Sequence, residues 1–150
     1  MKSVRFTVNR IVICNFFVII LAMMTFHPVN VCAGDDTDQS DKLLVFLSTG
    51  DKEVFTKTAF PYTFNAKKHG WFDEVRFLIW GPSAKLIAED PELHESLNQL
   101  KQIGIQLQSC RWCAEQYGVD GKLKELGVEV IYMGQHLSDM LKSDWKILTF

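Results

Sequence analysis

Short apolar runs alternate along the chain with segments whose apolar residues have helical spacing. Five runs have the length of buried strands, at 43–48, 74–80, 105–108, 128–132 and 145–150. The segments that predict helices are 54–68, 83–89, 91–104, 114–117, 122–126 and 135–142. Asp90 and Pro91 suit the N-cap and the first helical position, whereas Pro61 predicts a kink in the first helix. The pattern is that of an α/β protein.

This alternation predicts one Rossmann-like domain of three layers, in which helices cover both faces of a mostly parallel, five-stranded sheet. Ligand sites in such sheets form beyond the carboxyl ends of the strands, where loops meet the N-termini of helices. The predicted strand at 105–108 runs directly into Cys110. We therefore expect Cys110 at the functional edge of the sheet.

The first 33 residues have the pattern of a cleavable export signal. A basic start is followed by the apolar stretch 11–24 and by an A-x-A-like cleavage site that ends at Ala33. The apolar stretch is shorter than the roughly 20 residues that span a bilayer, which disfavours an uncleaved anchor. A lipid anchor on Cys32 is a further alternative, which the bulk of the preceding Val31 disfavours. The sequence thus predicts a signal peptide over 1–33 and an exported, periplasmic protein.

The charge of the remaining chain limits the partners that it can bind. Residues 34–41 are acidic and lack apolar side chains, which predicts a flexible leader before a domain at 42–150. Removal of 1–33 leaves 13 of the 16 Lys and Arg residues against 18 Asp and Glu residues, a net charge of −5. An acidic domain without a basic stripe is repelled by phosphate backbones. We therefore expect no nucleic-acid partner, and no membrane contact after cleavage of the signal.

Two cysteines remain after removal of the signal, Cys110 and Cys113 in the sequence CRWC. If a helix begins near Arg111, Cys110 lies at its N-terminus, where unpaired N–H groups and the Arg111 charge favour a thiolate. Cys113 then lies one turn into the helix, within reach to resolve an oxidised or persulfidated Cys110. We therefore predict Cys110 and Cys113 as the catalytic pair.

A CxxC sequence also has other uses in an exported protein. The pair can form an inert structural disulfide. It can also contribute two thiolates to a metal site, although no second CxxC and no local His supplies further ligands. Covalent haem needs a His directly after the second cysteine, where this chain has Ala114. No cofactor and no resident metal is therefore predicted.

Other candidate groups have weaker patterns. The histidines His69, His94 and His136 are scattered over predicted helices or a helix end, as is typical of surface residues. We interpret Asp51, which follows the first strand, as a solvated loop acid. We expect Trp80, Trp112 and Trp145 to pack in the fold, with a pocket or an oligomer contact as the alternative for Trp112. No nucleotide-binding glycine pattern and no Ser/His/Asp spacing is present.

The chain contains the segments LLVFLSTG, FLIWGPSAKLIAED, CRWCAEQYGV, LGVEVIYMG and KILTF. Together these segments resemble the DsrE/DsrF-like family, especially its YchN-like members with two cysteines, and the resemblance covers about 42–150. It implies a small Rossmann-like domain that assembles as a homo-oligomer, commonly a trimer or a hexamer. It also implies that Cys110 matches the cysteine that carries a persulfide in the sulfur-relay branch and passes it to a partner protein, and that Cys113 matches the second cysteine.

The sequence favours one function and leaves two others open. The favoured function is that of an exported thiol protein, either a persulfide carrier with a sulfur donor or acceptor protein as partner, or a thiol-redox protein. The second is a non-catalytic, homo-oligomeric binding module with a structural CxxC disulfide. The third is a metal-binding protein. The residues alone leave enzyme activity open.

Overall fold

A computed structural model describes residues 41–150 of the chain. The predicted signal peptide and the leader, apart from Asp41, lie outside the described residues. Asp41 lies against the sheet, because its carbonyl accepts a hydrogen bond from the Asp73 amide at 2.9 Å. No helix within 41–150 is long and apolar enough to cross a membrane.

Five strands form one sheet. They are β1 (Lys42–Leu47), β2 (Glu74–Ile79), β3 (Gln106–Cys110), β4 (Glu129–Ile131) and β5 (Trp145–Thr149). All neighbouring strands are parallel, in the spatial order β4-β3-β2-β1-β5. The predicted α/β class is confirmed, and the sheet is entirely parallel where the sequence predicted a mostly parallel one.

Seven α-helices connect the strands. They are α1 (Lys52–Val54), α2 (Phe60–Lys68), α3 (Pro82–Glu89), α4 (His94–Gln102), α5 (Arg111–Tyr117), α6 (Asp120–Glu125) and α7 (Met133–Leu141). A π-helical turn at Phe55–Ala59 joins α1 to α2. Pro61 therefore lies in the first turn of α2, where its missing N–H is tolerated. The irregularity that the sequence predicted at Pro61 is a π-helical turn, and it lies just before the proline. The Asp90 carboxylate accepts the Glu92 amide at 3.0 Å, as expected of an N-cap.

The helices pack on both faces of the sheet. The first face buries Leu43, Val45, Phe77 and Leu107 against Ala66, Ile87, Leu97, Ala114 and Leu123, which belong to α2 through α6. The second face buries Leu44, Leu78 and Cys110 with Cys113 of α5 and with Met133 and Met140 of α7. This arrangement is the three-layer architecture expected from the alternating pattern.

The connections after β3 and β4 diverge. After β3, α5 and α6 pack on the first face through Ala114 and Leu123, whereas after β4, α7 packs on the second face through Met133. Such a divergence opens a crevice at the carboxyl ends of two neighbouring strands, which is where open α/β sheets bind ligands. The paired residues Cys110 and Ile131 end the two strands. The fold therefore places Cys110 at this crevice.

Candidate functional site

The structure brings the two predicted cysteines together at the junction of β3 and α5. Cys110 is the last residue of β3 and the N-cap of α5, and Cys113 lies in the first turn of that helix. Both are thiols, and they are only 4% and 5% exposed. Cys110 lies close enough to Cys113 to contribute to a raised pKa of the Cys113 thiol. The pair is thus placed for exchange of sulfur or of electrons between its two members.

The turn between β2 and α3 lies next to Cys113. Gly81 has a φ of 62° and a ψ of −132°, a conformation that residues with side chains rarely adopt, and its backbone N–H lies near the Cys113 sulfur. Burial raises the pKa of the Cys113 thiol above its ordinary value, the contact with Cys110 adds to the rise, and the Gly81 amide opposes it. Cys113 is therefore favoured as a neutral thiol.

The two contacts that the sequence predicted for a Cys110 thiolate are not formed. The Cys110 side chain accepts no capping hydrogen bond from the amides of α5. The Arg111 guanidinium pairs instead with Glu115, with 2.7 Å between Nε and Oε1, and lies 5.1 Å from the centre of the Tyr132 ring. The Tyr132 hydroxyl lies 3.3 Å from the second Glu115 oxygen, to which it donates. Glu115 and Tyr132 thus hold the Arg111 side chain in place. Glu115 can pair with Arg111 because it lies one helical turn further along α5.

A cleft of about 410 Å³ opens over Cys110, between the start of α5 and the start of α7. Its lining residues are Trp80, Cys110, Trp112, Tyr132, Met133, Gly134 and Gln135. Trp112 and Tyr132 are 61% and 57% exposed, which is high for such large side chains. Cys113 is not among the lining residues. A ligand in the cleft therefore meets the Cys110 sulfur first.

Sequence reasoning found only part of this lining. It placed Cys110 at the edge of the sheet and allowed Trp112 to line a pocket, and both agree with the structure. It missed Trp80 and Tyr132, although each directly follows a strand, β2 and β4 respectively. Their position after strand ends is the signal that could have identified them, because carboxyl ends of parallel strands share one edge.

The remaining candidates lie away from the cleft. Asp51 is the N-cap of α1, and its carboxylate accepts two amides of the first turn at 2.7 and 3.2 Å. An imidazole nitrogen of His94 lies 3.0 Å from a carbonyl oxygen of α3, and His69 stacks on Trp71. His136 is an exposed residue of α7. Within the described part of the chain, no three His, Cys, Asp or Glu side chains come together as metal ligands.

Two solved structures are similar to this chain. The Bacteroides thetaiotaomicron protein BT1422, a conserved protein of unknown function, shares 34% identity and a TM-score of 0.71, over 73% of this chain and 95% of that one. The ychN protein of E. coli shares 15% identity and a TM-score of 0.56, over 73% of this chain and 99% of that one. No family model matches the chain, and no curated protein matches it closely.

The two similar structures support the fold of the chain but not an activity. The likeness to ychN confirms the expected YchN-like fold, and at 15% identity it shows the fold alone. The likeness to BT1422 is closer in sequence and brings no activity with it. The two-cysteine subgroup and the carriage of sulfur therefore stay predictions.

Proposed function

The chain belongs to the same family as BT1422 of Bacteroides thetaiotaomicron, and on this premise we propose that it is a carrier of sulfur, held as a persulfide on Cys110. The observation that supports the proposal is the asymmetry of the pair. Cys110 lines a cleft of about 410 Å³ at the crevice of the sheet, whereas the neighbouring Cys113 is not part of the lining. A purely structural disulfide requires no such cleft over one of its sulfurs.

Sulfur is loaded and delivered by exchange between sulfur atoms. The Cys110 thiolate attacks the outer sulfur of a donor persulfide, the donor's S–S bond breaks, and the donor leaves as a thiolate that takes up the proton lost by Cys110. Delivery is the reverse step, in which an acceptor thiolate takes the outer sulfur and leaves Cys110 as a thiolate. Both steps are redox-neutral and require no cofactor.

Cys113 gives the carrier a second outcome. Its thiolate attacks the inner sulfur of the Cys110 persulfide, forms a disulfide between the two cysteines and expels hydrosulfide. The outer sulfur is thereby reduced to sulfide while the two cysteines are oxidised, and an external thiol must reduce the disulfide before the next cycle. Because the raised pKa of Cys113 favours its neutral thiol, this release is slowed at pH values below that pKa.

A thiol-redox function uses the same two cysteines and is the alternative that the geometry supports. It differs from sulfur carriage in the species that accumulates, because a redox protein cycles between dithiol and disulfide without a persulfide. The structural-disulfide alternative predicts a pair that stays oxidised under mild reduction.

Intact-mass spectrometry of three proteins distinguishes these functions. After brief treatment with an organic persulfide, the reduced parent protein should gain about 32 Da, the mass of one sulfur atom, and lose it with excess thiol. Cys110→Ser should gain nothing. Cys113→Ser should load and hold the sulfur about tenfold longer, because the neighbouring resolving thiol is gone. Equal loading of the parent and of Cys110→Ser would exclude sulfur carriage on Cys110.

The place of action that we propose is outside the cytoplasm. The basic and apolar pattern of the first 33 residues supports export. An assembled homo-oligomer, suggested by the family resemblance, is the form in which we propose that the protein works.

A further inference from the structure

The walls of the Cys110 cleft are apolar and aromatic. Trp80, Trp112, Tyr132 and Met133 contribute large side chains, and Gln135 contributes the one amide side chain of the lining. The volume of about 410 Å³ falls within the roughly 300–1,000 Å³ typical of small-molecule sites. Such walls favour a ligand with an apolar or aromatic group, which is stabilised by leaving water and by contact with the rings.

The cleft also offers no unpaired positive charge. None of its lining residues is Lys, Arg or His. The nearest guanidinium in the sequence, that of Arg111, is engaged by the Glu115 carboxylate at 2.7 Å and lies over the Tyr132 ring. An oxyanion that enters the cleft therefore gives up its hydration without gaining a cationic partner, which is unfavourable.

From these two features we propose that the cleft selects as its sulfur donor an organic persulfide with an apolar or aromatic group, in preference to oxyanion donors such as thiosulfate. The inference rests on the proposed function and names the substrate class of the same site. The apolar group lies against Trp112 and Tyr132, and the outer sulfur reaches Cys110.

The transfer step balances without a further reactant. The Cys110 thiolate bonds to the outer sulfur of the donor R–S–SH, and the S–S bond of the donor breaks. The leaving R–S⁻ takes the proton released by Cys110, so that the products are the Cys110 persulfide and the thiol R–SH. The step involves no net oxidation or reduction, because one sulfane sulfur moves from one thiol to another.

Donor competition on the full domain tests the selection. The two donors are thiosulfate and benzyl hydropersulfide, which is released in solution from a protected precursor. For each donor, the rate at which the protein gains one sulfur atom is divided by the rate at which free N-acetylcysteine amide does so. This division removes the intrinsic reactivity of the donor. We expect the normalised rate for the benzyl donor to exceed that for thiosulfate by about tenfold or more.

Two variants should shift the preference in opposite directions. Trp112→Ala should lower the normalised benzyl rate by about tenfold, through loss of ring contact. Glu115→Gln should raise the thiosulfate rate several-fold, because Arg111 loses its charged partner. The matched controls are Trp71→Ala, an exposed tryptophan elsewhere on the domain, and Glu125→Gln, which breaks the exposed pair with Lys122.

The outcomes separate this inference from the proposed function. Equal normalised rates for the two donors, or a faster rate with thiosulfate, would overturn the selection while leaving sulfur carriage intact. An unchanged preference in both Trp112→Ala and Glu115→Gln would overturn the assignment of selection to this cleft. Failure of both donors to load Cys110 would overturn the proposed function itself.

Discussion

Cys110 and Cys113 stand three positions apart in the chain and have different surroundings. Both are buried, but Cys110 lines a cleft between aromatic side chains, whereas Cys113 lies near the Gly81 N–H and is not part of that lining. The difference arises because Cys110 ends a strand and Cys113 points back from the first turn of α5 toward the turn after β2. One residue is thereby suited to meet a donor, and the other to act only on its neighbour.

The raised pKa of Cys113 predicts the pH dependence of sulfide release. Burial favours the neutral thiol and raises its pKa in the native state above the ordinary value of 9.0. The resulting contribution to the free energy of unfolding is fully present below pH 9.0 and is lost as the pH rises through the higher native pKa. Since the thiolate is the attacking form, release of hydrosulfide from persulfidated protein should still be increasing above pH 9.0. A sulfide electrode follows the rate, with Cys113→Ser as the control that should show no such rise. A rate that levels off well below pH 9 would contradict a raised pKa.

At the scale of elements, the hydrophobic pattern was sufficient to predict the strands and most helices. The strands are found because buried parallel strands have continuous apolar runs, as in 43–48, and Asp90 marks a helix start through its own side chain. The π turn at Phe55–Ala59 was not predictable, since it has the same apolar spacing as an ordinary helix.

The site was predictable only where it depends on chain order. That Cys110 lies at the end of the third strand can be read from the sequence, and so can its place at the edge of the sheet. The pairing of Arg111 with Glu115 and Tyr132 could not be predicted, because it depends on which strands are neighbours and on the rotamer that Arg111 adopts. For the same reason, the contribution of the β4-α7 junction to the cleft was missed.

The turn between β2 and α3 should be the most sensitive short connection near the site. Gly81→Ala places a side chain in a backbone conformation reserved largely for glycine, which should lower the free energy of unfolding by about 1–3 kcal/mol. Space is not the cause, because the nearest atom to an added methyl group is a backbone oxygen 4.0 Å away.

A matched glycine in a helix gives the control for that experiment. Gly121 lies within α6, and an added Cβ there meets nothing within 4 Å. Gly121→Ala should therefore raise the free energy of unfolding by about 0.4–1 kcal/mol. Urea unfolding of both variants measures the two changes. Similar effects of the two substitutions would show that the Gly81 conformation is not the constraint described here.

At the scale of the whole molecule, the second face of the sheet retains an exposed apolar groove. It has a volume of about 160 Å³, its lining residues are Phe46, Leu137, Leu141, Ile147 and Thr149, and Leu141 is 65% exposed. A second copy of the chain is the partner that we expect at this groove, since the family resemblance implies a trimer or a hexamer and contact with an equal surface would cover the apolar side chains.

Sedimentation velocity at micromolar concentration checks the predicted assembly. The domain should sediment as a homo-oligomer, and Leu141→Glu should shift it toward the monomer, because a charge at the contact loses its hydration on association. Trp71→Glu, which changes another exposed apolar residue, should leave the assembly intact. A parent domain that is monomeric at this concentration would contradict the prediction.

If Cys110 carries sulfur in the exported protein, the added sulfur should be present on the protein when it is isolated from cells. The mature chain is purified from the cell envelope without reductant and is weighed intact, then as peptides. The account predicts a chain that begins at Gly34 and carries an added mass of about 32 Da on Cys110 that excess thiol removes. A fixed loss of about 2 Da, retained under mild reduction, would instead show a structural disulfide between Cys110 and Cys113 and would contradict it.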